Sequence, residues 1–136
     1  MKKKVLFLCA ENSCRSQMAE GILRYFKGDE YEVFSAGTNP SVVDPRAIKV
    51  MAEIGIDISG HKSKSVQEFL DKDFDFIITV CDKAKETCPV FYRGGKNIHW
   101  SFIDPKEARG SEKEVLQIFR RVRDEIKLRI QEEFGN

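Results

Sequence analysis

No apolar run in the 136-residue sequence approaches the ~18 residues of a membrane span. The first apolar stretch, Val5 to Ala10, is six residues long, and Glu11 and Asn12 follow it at once. That is too short for the core of a secretory leader, and Leu8 before Cys9 spoils a lipoprotein cleavage site. The expected location is cytoplasmic, without membrane attachment. Neither charge sign dominates: 23 Lys and Arg face 22 Asp and Glu. No compact basic block occurs beyond Lys2 to Lys4, so nothing directs the chain to nucleic acid. The only two histidines, His61 and His99, lack ligand spacing, and no cysteines are paired as C-x2-C, which argues against structural zinc. Repeats and low-complexity linkers are absent as well, which leaves one domain, 1–136.

Charged residues make up 33% of the chain and apolar residues 41%, enough for one core under a well-solvated surface. Val5 to Cys9 reads as a buried strand. Ser16 to Phe26 carries a helical stripe of Met18, Ala19, Ile22, Leu23 and Phe26. "YEVFSAG" alternates and stops at Gly37, as a strand does, and "TNPSVVDP" is a loop. Asp44 and Pro45 supply a cap and first turn for a helix with Ala47, Ile48, Met51 and Ala52, ending near Gly55. Val66 to Leu70 predicts a short helix, "FDFIITVC" a third strand and "NIHW" a fourth. Ser111 caps a last helix with Val115, Phe119, Val122, Ile126, Ile130 and Phe134 on one face. Alternating strands and helices imply an α/β domain with a parallel sheet, and the expected order is 2-1-3-4. Ligands in such sheets sit beyond the C-terminal strand ends where the order reverses, here between strands 1 and 3. Cys9 ends the first of these and Cys81 the second, which places two cysteines at one crevice.

The loop after Cys9 runs Ala10, Glu11, Asn12, Ser13, Cys14, Arg15 and Ser16, and then the helix begins. A strand–loop–helix turn can direct its backbone N–H groups inward and form an anion nest on the helix N-terminus. Arg15 adds a fork that fits a tetrahedral oxyanion. Cys9 at the base points its sulfur into the nest, where amides, guanidinium and helix end all favour the thiolate. Ser16 is placed to hydrogen-bond that sulfur, and Asn12 to hold the loop through its amide. Cys14 reads as a small space-filling residue. Asp104-Pro105 follows strand 4 on the same sheet edge, where the proline fixes the loop and can aim the carboxyl into the crevice. His99 and Trp100 read as packing residues.

"FLCAENSCRSQMAEG", with "TVCDKAKETCP", "HWSFIDP" and "RVRDEIKLRI" in the same order and spacing, resembles the thioredoxin-coupled arsenate reductases over nearly the whole chain. Those enzymes are built on the low-molecular-weight protein tyrosine phosphatase fold, a three-layer sandwich with a four-stranded parallel sheet of order 2-1-3-4. The resemblance implies that Cys9 attacks arsenate while Asp104 acts as general acid, with residues 10–16 binding the oxyanion. It implies a cascade from a Cys9–Cys81 to a Cys81–Cys88 disulfide, with thioredoxin as reductant. That chemistry needs no metal or organic cofactor, and a monomer is expected. A helical 82–88 segment would separate the outer cysteines by roughly 10 Å. Bridging them therefore requires unwinding, because a disulfide needs Cα atoms at about 4.4–6.8 Å. Two other readings stand beside this one: a tyrosine phosphatase using Cys9, Arg15 and Asp104 alone, and a non-enzymatic thiol redox or arsenic sensor. Two departures from the family pattern matter. Glu11 stands where many relatives have Gly or His, so its carboxylate must point outward. Some relatives also hold potassium under the loop with residues matching Asn12, Glu20 and Ser35 plus an acid near 64, where this chain has Lys64.

Overall fold

The computed structural model describes residues 2–82 and 95–135. Strand β1 (Lys3–Cys9) is central, with β2 (Tyr31–Gly37) on one side, β3 (Phe76–Thr79) on the other and β4 (Lys96–His99) outermost. All three pairings are parallel, so the order is the expected 2-1-3-4. Strand β3 is shorter than "FDFIITVC" suggested, because only Phe76 to Thr79 find partners on β1 and β4. Val80 still donates its amide to Leu8 at 2.9 Å, so the chain holds its course to Cys81.

Pleating splits β1 between two cores. Val5, Phe7 and Cys9 join a cluster with helices α1 (Arg15–Lys27), α2 (Pro45–Ala52) and α3 (Glu112–Phe134). Leu6 and Leu8 face the other side, with Ala36, Phe69, Phe74 and Ile77. Among the described residues that second face is covered by the connector around a 3-10 turn at Val66–Phe69, where one helical turn replaces the short helix expected there. Helix α1 is buried from Arg15 through Leu23, which fixes its N-terminal end against the sheet. Helix α3 runs over α1 and α2 with Phe119, Val122 and Ile126 wholly buried, as its stripe required. No described helix is long and apolar enough to cross a membrane.

The boundary residues work as their chemistry demands. Asp44 accepts from the Arg46 amide at 2.8 Å, and Pro45 opens α2. Ser111 and Glu114 form a reciprocal capping box at the start of α3. Phe26 departs from its stripe. It lies 43% exposed beside Tyr25, with the Lys127 ammonium 5.5 Å from its ring centre. The last turn of α1 has passed the edge of the core, so the stripe there is covered by a cation–π contact instead of by the sheet.

Gly37, the last residue of β2, lies directly beneath the loop that follows β1. A Cβ at this position would fall 2.6 Å from the Ala10 carbonyl oxygen and 2.9 Å from the Asn12 nitrogen. Both obstacles are backbone, so they cannot swing aside. Gly37→Ala is expected to destabilise the fold by about 1–3 kcal/mol, the usual cost of overpacking. Urea melts of the variant measure this, and an unchanged midpoint would mean that the loop yields freely.

Candidate active site

The loop from Cys9 to Arg15 is shaped from outside. The Ala10 carbonyl accepts from the Asn39 amide at 2.8 Å, and that of Glu11 from the Ser41 amide at 3.2 Å and the Ser63 hydroxyl at 2.8 Å. The Asn12 carbonyl accepts from Gln17 Nε2 at 3.2 Å, and that of Ser13 from the Asp44 amide at 2.9 Å. Four successive carbonyl oxygens are thus committed away from the cavity. No side chain caps the start of α1 either. A helix N-terminus without a side-chain cap favours an anion beside it.

Asn12 holds the loop's shape, as expected, and does so in a left-handed backbone conformation (φ 52°) that asparagine tolerates better than most residues. Its buried amide donates to Ser16 Oγ at 2.8 Å and Ser35 Oγ at 2.9 Å. Its side-chain oxygen accepts from Gln17 Nε2 at 2.9 Å and the Lys64 amide at 2.8 Å. Both amide hydrogens and both lone pairs of the side-chain oxygen are engaged within the fold, so the loop can rotate little without breaking several bonds.

Cys9 Sγ lies 2.9 Å from Ser16 Oγ and accepts from the Asn12 amide at 3.2 Å. Arg15 is 4% exposed; its Nη1 donates to the Phe102 carbonyl at 3.0 Å and its Nη2 stands 3.6 Å from Asp104 Oδ2. Asp104 caps a 3-10 turn at Pro105–Glu107 by accepting from the Lys106 amide at 3.0 Å. A cavity of about 40 Å³ results, lined by Cys9, Ala10, Glu11, Ser13, Cys14, Arg15 and Asp104. Asn12 and Ser16 lie behind it, bracing the loop and the sulfur.

Cys9 and Cys14 are free thiols, whereas Cys81 is fully buried and engaged in a disulfide. Cys88 and the rest of the 83–94 segment, for which a reduced-state helix was expected, lie outside the described residues. Burial pushes the Cys14 thiol far above its ordinary range, and the nearby Asp44 carboxylate adds to this. Cys14 is therefore kept as a neutral thiol beside the cavity, in keeping with a space-filling role. Trp100 is packing, 1% exposed against Phe7 and Phe102. His99 Nδ1 is 2.7 Å from Thr79 Oγ1 across the β3–β4 pair.

A model of the family described as low molecular weight phosphotyrosine protein phosphatase matches residues 4–134. The chain belongs to that family. Within it, the resemblance is to its arsenate reductases. That of Halalkalibacterium halodurans (strain C-125) is 46% identical over 129 residues, covering 95% of this chain and 93% of that protein. That of Bacillus subtilis (strain 168) is 44% identical over 133 residues, covering 97% and 96%. A solved arsenate reductase in its oxidized state superposes with a TM-score of 0.81 at 35% identity, covering 96% of this chain and 95% of that one.

Two partners of this phosphatase-family loop escaped the sequence. Lys106 Nζ meets Glu11 Oε1 at 2.5 Å, and Gln17 ties Asn12 to the Lys62 carbonyl at 2.9 Å. The signal for the first was Glu11 itself, since a carboxylate on an anion loop demands a nearby cation. Glu11 does turn to the rim, its side chain 45% exposed. The hydrogen bond from Lys106 holds its carboxyl below the usual range. Burial is the largest single influence on Lys106 and opposes its charge, but the bond and the charge attraction to Glu11, with Asp104 nearby, together outweigh it and raise that ammonium's pKa.

Lys64 Nζ stands 3.6 Å from Glu20 Oε1 and donates to the Lys62 carbonyl at 3.0 Å. Ser35 donates to the same Glu20 oxygen, and the Asn12 side-chain amide donates one hydrogen to Ser35. An ammonium and an amide donor do not fit a potassium ion that needs oxygen ligands. Thermal melts in KCl and NaCl at equal ionic strength are therefore expected to coincide. A potassium-specific rise, ~2.7 kcal/mol for an ion at 100 times its Kd, would contradict Lys64 as the cation beneath the loop.

Proposed function

We propose that this chain reduces arsenate to arsenite with Cys9 as nucleophile and an internal disulfide cascade that thioredoxin resets. The observation that carries the reading is the free Cys9 sulfur at the base of an anion-shaped cavity, with Arg15 and Asp104 on its walls and a disulfide-bonded Cys81 at the neighbouring strand end. The arsenate reductases at 44–46% identity support the substrate. Pairing of Leu8 with Thr79 sets the two cysteines one and two residues beyond the last rung between β1 and β3.

Arsenate is a tetrahedral oxyanion suited to the inward amides and the Arg15 fork. The Cys9 thiolate forms a sulfur–arsenic bond as an arsenic–oxygen bond breaks, and Asp104 gives a proton to the departing oxygen. The Cys81 thiolate then attacks Cys9 sulfur. The electron pair of the sulfur–arsenic bond passes to arsenic, which leaves as arsenite, and a Cys9–Cys81 disulfide remains. Cys88 attacks Cys81 and frees Cys9 as a thiolate. The resulting Cys81–Cys88 disulfide is reduced by the dithiol of thioredoxin, which is itself oxidised. In this scheme the chain acts as a cytoplasmic monomer, and the disulfide on Cys81 beside a free Cys9 corresponds to the end of the cascade.

A tyrosine phosphatase would use Cys9, Arg15 and Asp104 without Cys81. The cavity lining among the described residues includes no aromatic wall for a phosphotyrosine ring. Arsenate reduction with thioredoxin, thioredoxin reductase and NADPH, run beside hydrolysis of an aryl phosphate, separates the two readings. Cys9→Ser is expected to abolish both activities, because the hydroxyl cannot replace the thiolate at neutral pH. Cys81→Ser is expected to stop reduction yet spare aryl phosphate hydrolysis. Normal turnover by Cys81→Ser with thioredoxin would end the cascade reading.

Asp104→Asn is expected to keep oxyanion binding and to slow the first chemical step by about 10²–10⁴-fold, the usual range for a general acid. Single-turnover kinetics measure it. An unchanged rate constant would reduce Asp104 to the cap of its turn.

A further inference from the structure

The cavity's rim carries a carboxylate that an anion site would be expected to avoid. Glu11 lines the cavity, and its charge opposes an incoming dianion. The Lys106 ammonium that neutralises it at 2.5 Å also lies 3.4 Å from Ser13 Oγ, another lining residue. Lys106 is rooted close to the cavity, because its own amide is bonded to Asp104 Oδ1 at 3.0 Å. Its side chain can therefore swing while its backbone stays fixed on the Asp104 turn.

We propose that Lys106 is an anion-recruiting residue, held at the rim by Glu11 until a tetrahedral oxyanion in the cavity takes over as its partner. The side chains of the pair are 30% and 45% exposed, so their mutual attraction is the weak one of a partly solvated bridge. A doubly charged oxyanion seated beside Ser13 attracts the ammonium more strongly than one carboxylate does, and Ser13 already lies within reach of the Nζ. Glu11 then has two effects of opposite sign. It keeps Lys106 close to the rim, and it competes with the substrate for that cation. Affinity for the anion is set by the balance of the two charges, 95 positions apart in sequence. The inference shares its anion with the arsenate reading but not its redox chemistry.

Calorimetric titration of the fully reduced chain with inorganic phosphate, at fixed low ionic strength, tests it. Lys106→Gln leaves Glu11 facing the anion and is expected to weaken phosphate binding roughly tenfold, the scale of one unit charge at the rim of a partly solvated site. Glu11→Gln releases Lys106 and is expected to tighten binding severalfold. The double variant should return near the wild type, and Lys106→Arg should keep most of the affinity. In turnover with arsenate, KM should follow the phosphate affinities while kcat moves much less. If both single variants weaken binding alike, the pair is only a tie between two loops and the proposal fails. It fails equally if neither changes affinity. Should the chain not reduce arsenate at all while the phosphate order holds, the arsenate reading falls and Lys106 keeps its role.

Discussion

The site depends on one constraint: the carbonyl oxygens of residues 10–13 are held outward. A loop whose carbonyls faced the cavity would repel an oxyanion and a thiolate alike. The Asn39, Ser41 and Asp44 amides hold three of these oxygens, and Gln17 holds the fourth. Each bond is worth only about 1 kcal/mol net. Together with Asn12, they commit the loop to one shape before any ligand arrives. Preorganisation of this kind is what makes a set of dipoles effective in catalysis.

That shape reaches the sulfur through Asn12 and Ser16. The Asn12 amide nitrogen positions Ser16, Ser16 contacts Cys9 Sγ, and the Asn12 backbone amide meets the same sulfur. From the other side, Asn12 is gripped by Ser35, Gln17 and Lys64. Beneath it, Glu20 collects Ser35, Lys64 and Arg24, the last at 2.7 Å. Asn12, Ser16, Gln17, Ser35 and Glu20 are buried, so any of these left unsatisfied would cost more than the bond it lost. Arg15 stands slightly apart, aimed by the Phe102 carbonyl at the start of the segment that carries Asp104. Arg15 and Asp104 are thereby fixed to each other as well as to the loop.

The sheet order was legible because strands and helices alternate, and a short βαβ unit has few ways to pack. The Asp44-Pro45 and Ser111 caps were legible because capping is local chemistry. The gathering of Cys9, Asn12, Arg15 and Ser16 around one loop was legible because it follows from a strand–loop–helix turn. "TNPSVVDP" read only as a loop, although its amides brace the nest; backbone donors carry no side-chain signature. Lys106 was missed for a related reason, since an ion pair across 95 positions leaves no pattern in either local stretch. Phe26 misled in the opposite way. Periodicity records which face of a helix is apolar, but not where the core beneath it ends.

In the proposed cycle the ends of β1 and β3 bring Cys9 and Cys81 within bonding reach of each other during reduction. Cys88→Ser, fully reduced and given one equivalent of arsenate without thioredoxin, tests it by peptide mass mapping of the product. One arsenite released per chain and a trapped Cys9–Cys81 disulfide are expected. Stoichiometric arsenite with Cys9 and Cys81 both recovered as free thiols, or with Cys9 joined to Cys14, would contradict it.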